Sequence, residues 1–209
     1  MRDSRKELVR DAYDSIADRY LRWQKDIEGD PRDRFLDLLM ARLGDGARVL
    51  DLGCGAGLPS TARMAERYEV VGVDISSEQI RRARRNVPGA TFTCADFSEL
   101  DFAPGSFDGV TAFYSVAHVP RELHADLFFR IARWLRSGGL LLGSLGAHDG
   151  AGWVGEWLGA ETFFSSHDAE ANSQILRRAG FSLLVDEVVT MREPEEEVDF
   201  HWVLAQRSA

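Results

Sequence analysis

The segment Val49-Leu50-Asp51-Leu52-Gly53-Cys54-Gly55-Ala56-Gly57 is an apolar run that breaks into closely spaced glycines. Such a run suits a central parallel strand, and glycines let the backbone approach a ligand where a Cβ would collide. The spacing narrows the ligand. In the dinucleotide pattern G-x-G-x-x-G the third glycine would fall where Leu58 stands, and no Gly-Lys-Ser/Thr follows to make a phosphate-cradling loop. What remains is a turn suited to a nucleoside ligand without phosphate. Glu69-Val70-Val71-Gly72-Val73-Asp74 then reads as a second strand ending in a carboxylate, about twenty residues beyond the glycines, where ribose hydroxyls are typically held. A third strand, Ala90-Thr91-Phe92-Thr93-Cys94-Ala95-Asp96-Phe97, ends in a carboxylate followed by an aromatic.

With D-L-G-C-G-A-G at 51–57, V-D at 73–74 and A-D-F at 95–97, in that order and spacing, the chain resembles the class I S-adenosylmethionine-dependent methyltransferases. The resemblance is strong over residues 47–145 and holds in outline elsewhere. It implies S-adenosylmethionine as cofactor and an α/β, Rossmann-like, doubly wound sheet. That sheet would have seven strands, mostly parallel with an antiparallel C-terminal hairpin, and helices on both faces. The resemblance further implies Asp51, Gly53, Gly55 and Gly57 along the amino-acid half of the cofactor and Asp74 on both ribose hydroxyls. Ile75 would lie against adenine, Asp96 would accept from the adenine amino group, Phe97 would offer its backbone N–H or an apolar wall, and Phe113 would lie at the cofactor. Many small-molecule members carry a first segment like Tyr13-Asp14-Ser15-Ile16-Ala17-Asp18-Arg19-Tyr20, folded over the cofactor with tyrosines near the methionine carboxylate. Tyr13 and Tyr20 are therefore expected cofactor contacts.

Methyl transfer from a sulfonium is an in-line displacement whose leaving group needs no help. The protein must align donor and acceptor and remove a proton where the acceptor carries one. The fourth strand ends in Phe113-Tyr114-Ser115-Val116-Ala117-His118-Val119-Pro120. This is not the Asn/Asp-Pro-Pro-Tyr/Phe of adenine and glutamine N-methylating members. It has no Pro-Cys nucleophile and no carboxylates of the kind that hold magnesium in catechol-type members. The resemblance then implies a small-molecule acceptor methylated on oxygen or nitrogen without metal. His118 is the nearest candidate base, its type suited to proton removal near neutrality, and His167 is a second. Trp153, Trp157, Phe163 and Phe164 fall in a glycine-rich connection after the fifth strand, at the sheet edge where ligands bind. With Tyr114 they are the expected acceptor contacts. Two other readings share these residues: an enzyme of this fold that catalyses a non-methylation step, and a non-catalytic cofactor-binding regulatory domain.

The elements needed to position these groups follow from periodicity. Leu8, Val9, Ala12, Tyr13, Ile16, Ala17 and Tyr20 form an apolar stripe at helical spacing, and Asp30-Pro31 opens a second helix that stops near Gly44. From residue 47 strands and helices alternate, which predicts a parallel sheet. The chain divides into a helical cap (1–44), a cofactor-binding core (47–145), an aromatic lid (146–168) and a closing helix and hairpin (169–209), all within one domain. The acidic stretch Glu193-Pro194-Glu195-Glu196-Glu197 is expected to be a solvated hairpin turn. The arginines of Arg81-Arg82-Ala83-Arg84-Arg85 are expected on the solvent side of a helix. A net charge of −9 disfavours a nucleic-acid substrate. The absence of a long apolar run disfavours a membrane span. The lack of an apolar segment after the first residues, with two isolated cysteines, points to a reducing cytoplasmic compartment.

Overall fold

Aliphatic and aromatic residues that alternate along each strand build one sheet with two buried faces. In the computed structural model, which describes residues 4–208, the strands are β1 (Arg48–Leu52), β2 (Glu69–Asp74), β3 (Thr91–Cys94), β4 (Phe107–Phe113), β5 (Leu135–Gly146), β8 (Phe181–Arg192) and β9 (Glu197–Arg207). They lie in the order β3-β2-β1-β4-β5-β9-β8. The first five pair in parallel, and β9 joins β5 and β8 antiparallel. This is the expected mostly parallel seven-stranded sheet with an antiparallel end. Chain order reverses between β1 and β4, and a crevice opens at the carboxyl ends of strands at such a switch point.

Among the described residues six α-helices cover the sheet: α1 (Ser4–Trp23), α2 (Arg32–Met40), α3 (Ser60–Ala65), α4 (Ser77–Asn86), α5 (His124–Trp134) and α6 (Ala169–Arg178). Leu141, Leu145, Val203 and Ala205 face α5 and α6, packing with Leu127, Phe128, Ile131 and Leu176. Their neighbours Leu140, Leu142, Trp202 and Leu204 face the other way, with Phe35, Leu36 and Leu39 of α2 and Met64 of α3. Period-two alternation thus supplies both cores from the same strands. Phe35 stacks on Trp202 with ring centroids 4.6 Å apart.

Residues 146–168, read from sequence as a glycine-rich aromatic lid with no strands assigned, carry regular structure. They form a separate antiparallel hairpin of β6 (Gly150–Trp157) and β7 (Ala160–Ser166). Its two-residue turn, Leu158-Gly159, has φ of +50° and +75°, the left-handed pair that matches strand twist in tight hairpins. The hairpin packs along α1. α1 is in turn fixed to the sheet's carboxyl edge by Asp14, whose Oδ1 accepts from Ser76 Oγ (2.6 Å) and from the Glu78 N–H (3.0 Å) at the start of α4. Asp18 pairs with Arg82 at 2.8 Å, so that arginine serves docking rather than a solvated face.

Candidate functional site

β1 runs into Gly53, whose N–H and that of Cys54 donate to the Val73 carbonyl at 2.8 and 3.0 Å. Gly53 has φ +75°, and a Cβ there would lie 2.3 Å from Ser115 Cβ, so only glycine lets the turn close against the end of β4. Gly57 has a different task from the one expected. A Cβ on it would stand 3.0 Å from Val87 Cγ2 and 3.4 Å from Ala83 Cα, so it packs the turn onto α4 and lines none of the cavities described below. Asp51 is buried and accepts from Thr61 Oγ1 (2.6 Å) and Thr111 Oγ1 (2.8 Å), while burial pushes its pKa up. Asp74 accepts from the Gly55 N–H (2.8 Å) and the Ser76 N–H (2.9 Å). Burial outweighs those two bonds and raises its pKa to about 6.

Three small cavities follow the carboxyl edge of the sheet. The first is walled by Ile75, Asp96 and Phe97, the second by Gly53, Gly55, Asp74 and Phe113, and the third by Asp51, Gly53, Gly55 and Thr61. A Cβ added to Gly55 would meet no protein atom within 4 Å, although Gly55 walls two of these cavities, so the space beside it suits a ligand. The Asp96 carboxylate is engaged by the Ser98 N–H (2.8 Å) and by Lys6 Nζ (2.7 Å). Arg32, from α2, stands at the third cavity, buried, paired with Asp30 at 2.9 Å and 4.9 Å above the Tyr114 ring. Its Nε has no hydrogen-bond partner. Sequence reasoning gave Lys6 and Arg32 no role.

A larger cavity of about 530 Å3 adjoins this row and shares Tyr13, Tyr20, Tyr114 and His118 with the second small cavity. His118 Nδ1 lies 2.9 Å from the Phe163 carbonyl oxygen and Nε2 lies 2.8 Å from Tyr13 Oη. A carbonyl only accepts, so Nδ1 carries the proton. Burial lowers the imidazole pKa to about 4, which leaves the ring neutral and Nε2 an acceptor for the Tyr13 hydroxyl. The remaining lone pairs of Tyr13 Oη are then free to accept from a ligand. Tyr114, the residue after β4, has φ +55°, a conformation costing a non-glycine residue about 1 kcal/mol or more, and its hydroxyl donates to Asp30 at 2.8 Å.

Trp153, Trp157 and Phe164 wall the large cavity. Trp157 is central, with ring centroids 5.2 to 6.1 Å from Trp23, Tyr20 and Tyr13, whereas Trp153 is half-exposed. Phe163 is not part of this wall. Successive strand residues point to opposite sides, so its ring turns away, buried under the Arg5 guanidinium. His167 is also placed elsewhere: its Nε2 donates to the Arg121 carbonyl at 3.2 Å and its ring faces His124, so the expected catalytic role is withdrawn. Trp23, Glu193 and Glu196 join the cavity unannounced. Trp23 follows Tyr20 by three positions on α1, a spacing that could have been read; the glutamates lie in the turn expected to be only solvated. Among the described residues, no group of three or more His, Cys, Asp or Glu side chains could hold a metal ion.

A family model described as "Methyltransferase domain" matches residues 49–139. That stretch contains the motifs at 51–57, 73–74 and 95–97 on which the chain resembles the class I S-adenosylmethionine-dependent methyltransferases. The chain is 39% identical over 117 residues to 27-O-demethylrifamycin SV methyltransferase of Amycolatopsis mediterranei, covering 52% of this chain and 41% of that protein. It spans less than half the length of the curated relatives it matches first. In fold it is similar to the magnesium protoporphyrin IX methyltransferase of Synechocystis PCC 6803, solved with bound S-adenosylmethionine (TM-score 0.75, 23% identity, 100% and 99% of the two chains). It is likewise similar to the 1,6-didemethyltoxoflavin-N1-methyltransferase of Burkholderia thailandensis, solved with its acceptor and S-adenosylhomocysteine (TM-score 0.73, 24% identity, 96% and 87%). No helix among the described residues is long and apolar enough to cross a membrane.

Proposed function

We propose that this chain methylates a small, partly apolar molecule held in the 530 Å3 cavity, without a metal ion. The observation that carries this reading is the wall shared by the acceptor cavity and the cofactor row, made of Tyr13, Tyr20, Tyr114 and His118. Asp74 would hold the ribose, Asp96 with Ile75 and Phe97 the adenine, and Arg32, at the third small cavity, the methionine carboxylate. When bound, S-adenosylmethionine supplies a methyl group on a sulfonium, so the acceptor's lone pair forms the new bond while the carbon–sulfur pair stays on sulfur. The chain's own part is alignment and proton removal. The Tyr13 oxygen faces the acceptor, and its proton can pass to His118 Nε2 as it receives one. The Phe163 carbonyl stabilises the ring that takes the charge.

Incubation with S-adenosylmethionine and a panel of small acceptors should yield S-adenosylhomocysteine and a product heavier by one methyl group. Failure of S-adenosylhomocysteine to bind by calorimetry would discard the reading. Activity should persist in EDTA, since no carboxylate cluster stands at the end of β4 to fix a divalent ion. A strict magnesium requirement would show a catechol-type site. Trp157→Ala should raise KM about tenfold with a smaller effect on kcat, because its ring contacts stabilise bound acceptor and transition state alike. Trp153→Ala should do less, since that ring is half-exposed. Equal effects of the two on KM would contradict the placement.

A further inference from the structure

We propose that the large cavity selects an organic ammonium, a protonated amine on an aromatic or aliphatic body, and that its nitrogen is the atom methylated once an N–H proton has passed to Tyr13 Oη as the Tyr13 proton passes to His118 Nε2, which frees the nitrogen lone pair. The inference rests on the methyltransferase reading above and names its substrate class. Three independent features of the wall converge on a cation that carries N–H donors.

The first is a continuous set of rings. Tyr13 meets Tyr20 at 5.3 Å, Tyr20 meets Trp23 at 5.9 Å, Trp23 meets Trp157 at 5.2 Å, and Trp157 meets Phe164 at 5.7 Å between centroids. Aromatic faces carry negative quadrupole charge and attract ammonium groups, most strongly where water is excluded. The second is charge. Glu193 and Glu196 stand in the cavity wall, and neither has an ion-pair partner among the described residues. The other charged groups of the wall compensate one another or have partners: Arg32 pairs with Asp30 at 2.9 Å, and Asp199 lies 3.0 Å from His148. Burial and the neighbouring Glu196 raise the Glu193 carboxyl to about 7, the direction an acid takes while no cation balances it. The third is hydrogen-bond polarity. The Phe163 carbonyl holds the proton on His118 Nδ1, Nε2 takes the Tyr13 proton, and Tyr13 Oη is left to accept from the ligand. An alcohol would satisfy Tyr13 and leave both carboxylates uncompensated. A carboxylic acid would meet them as like charge.

The deciding experiment titrates the protein, with and without saturating S-adenosylhomocysteine, against phenethylamine, phenethyl alcohol and hydrocinnamate, followed by calorimetry and tryptophan fluorescence. Phenethylamine should bind at least tenfold more tightly than the alcohol at neutral pH, quench the tryptophans, and exclude hydrocinnamate. In the Glu193→Gln, Glu196→Gln double variant, amine affinity should fall to that of the alcohol. Both positions lie in the hairpin turn between β8 and β9, and the wild-type comparison stands without the variant. Equal affinity for amine and alcohol overturns the proposal, as does tighter binding of the acid, a variant that keeps the amine preference, or no amine binding at millimolar concentration. The cofactor reading is scored separately. If S-adenosylhomocysteine fails to bind while the amine preference persists, the methyltransferase function falls and the ammonium site stands.

Discussion

Asp74→Ala is expected to weaken S-adenosylhomocysteine binding by at least tenfold, and by more than a hundredfold if both ribose hydroxyls donate to the carboxylate. A hydrogen bond to a charged group contributes about 1.5–3 kcal/mol. In the free protein Asp74 already accepts from the Gly55 and Ser76 N–H groups, one on each oxygen, so each oxygen keeps a lone pair for the ligand. The same burial that places the carboxylate in the site raises its pKa from 3.8 to about 6. An acid whose folded pKa lies above its unfolded value favours folding most at low pH, and that contribution is lost as pH rises through about 6. Near neutrality the ionised group costs the empty protein on the order of 3 kcal/mol, which offsets the Gly55 and Ser76 N–H bonds that alanine would leave unmade, so the variant should melt at nearly the wild-type temperature. Binding needs the ionised form, so affinity in the wild type should fall about tenfold from pH 7 to pH 5, with proton release on binding in that window. Calorimetry across pH measures both. An affinity unchanged by the substitution would remove the second strand's end from the site.

The features legible in the sequence are those that backbone chemistry dictates locally. The apolar run into glycines at 49–57 and the acids at 74 and 96 place three strand ends side by side, and register brings them together in the sheet. Gly57 shows the limit of that logic. Its neighbours in the motif face ligand space, but its own packing against Ala83 and Val87 depends on where α4 lies, which no local pattern states. The hairpin at 150–166 was hidden because glycine weakens strand signals, while its tight turn uses Leu158 at a positive φ that sequence rules assign to Gly, Asn or Asp. The alternation that follows decides which ring lines the cavity: Phe164 enters it and Phe163 leaves it, with its carbonyl rather than its ring reaching His118. Arg32 and Glu193 come from segments far from the glycine motif. They reach the site only because α2 and the β8–β9 turn close over the same edge of the sheet.

His118→Ala and Tyr13→Phe are each expected to lower kcat by roughly 10²–10⁴ while leaving S-adenosylhomocysteine affinity within a few fold. The two residues form one device. The Phe163 carbonyl fixes the tautomer, the tautomer makes Nε2 an acceptor, and Nε2 draws the Tyr13 proton away from the acceptor side. Removing the imidazole frees Tyr13 to present a donor where the reaction needs an acceptor; removing the phenol oxygen leaves the imidazole with nothing to relay. The double variant should therefore be no slower than the worse single variant, because groups that act as a unit lose their effect once. The histidine also carries a signature independent of activity. Its folded pKa of about 4 lies below the ordinary 6.5, so its contribution to stability is present above pH 6.5 and is lost as pH falls toward 4. The imidazole resonances of His118 should accordingly show no titration between pH 7.5 and about 5.5, where an exposed histidine would titrate. Single variants whose kcat and KM drift together by only a few fold would reduce His118 to an element that orders the 116–120 loop. So would a double variant that multiplies the two losses.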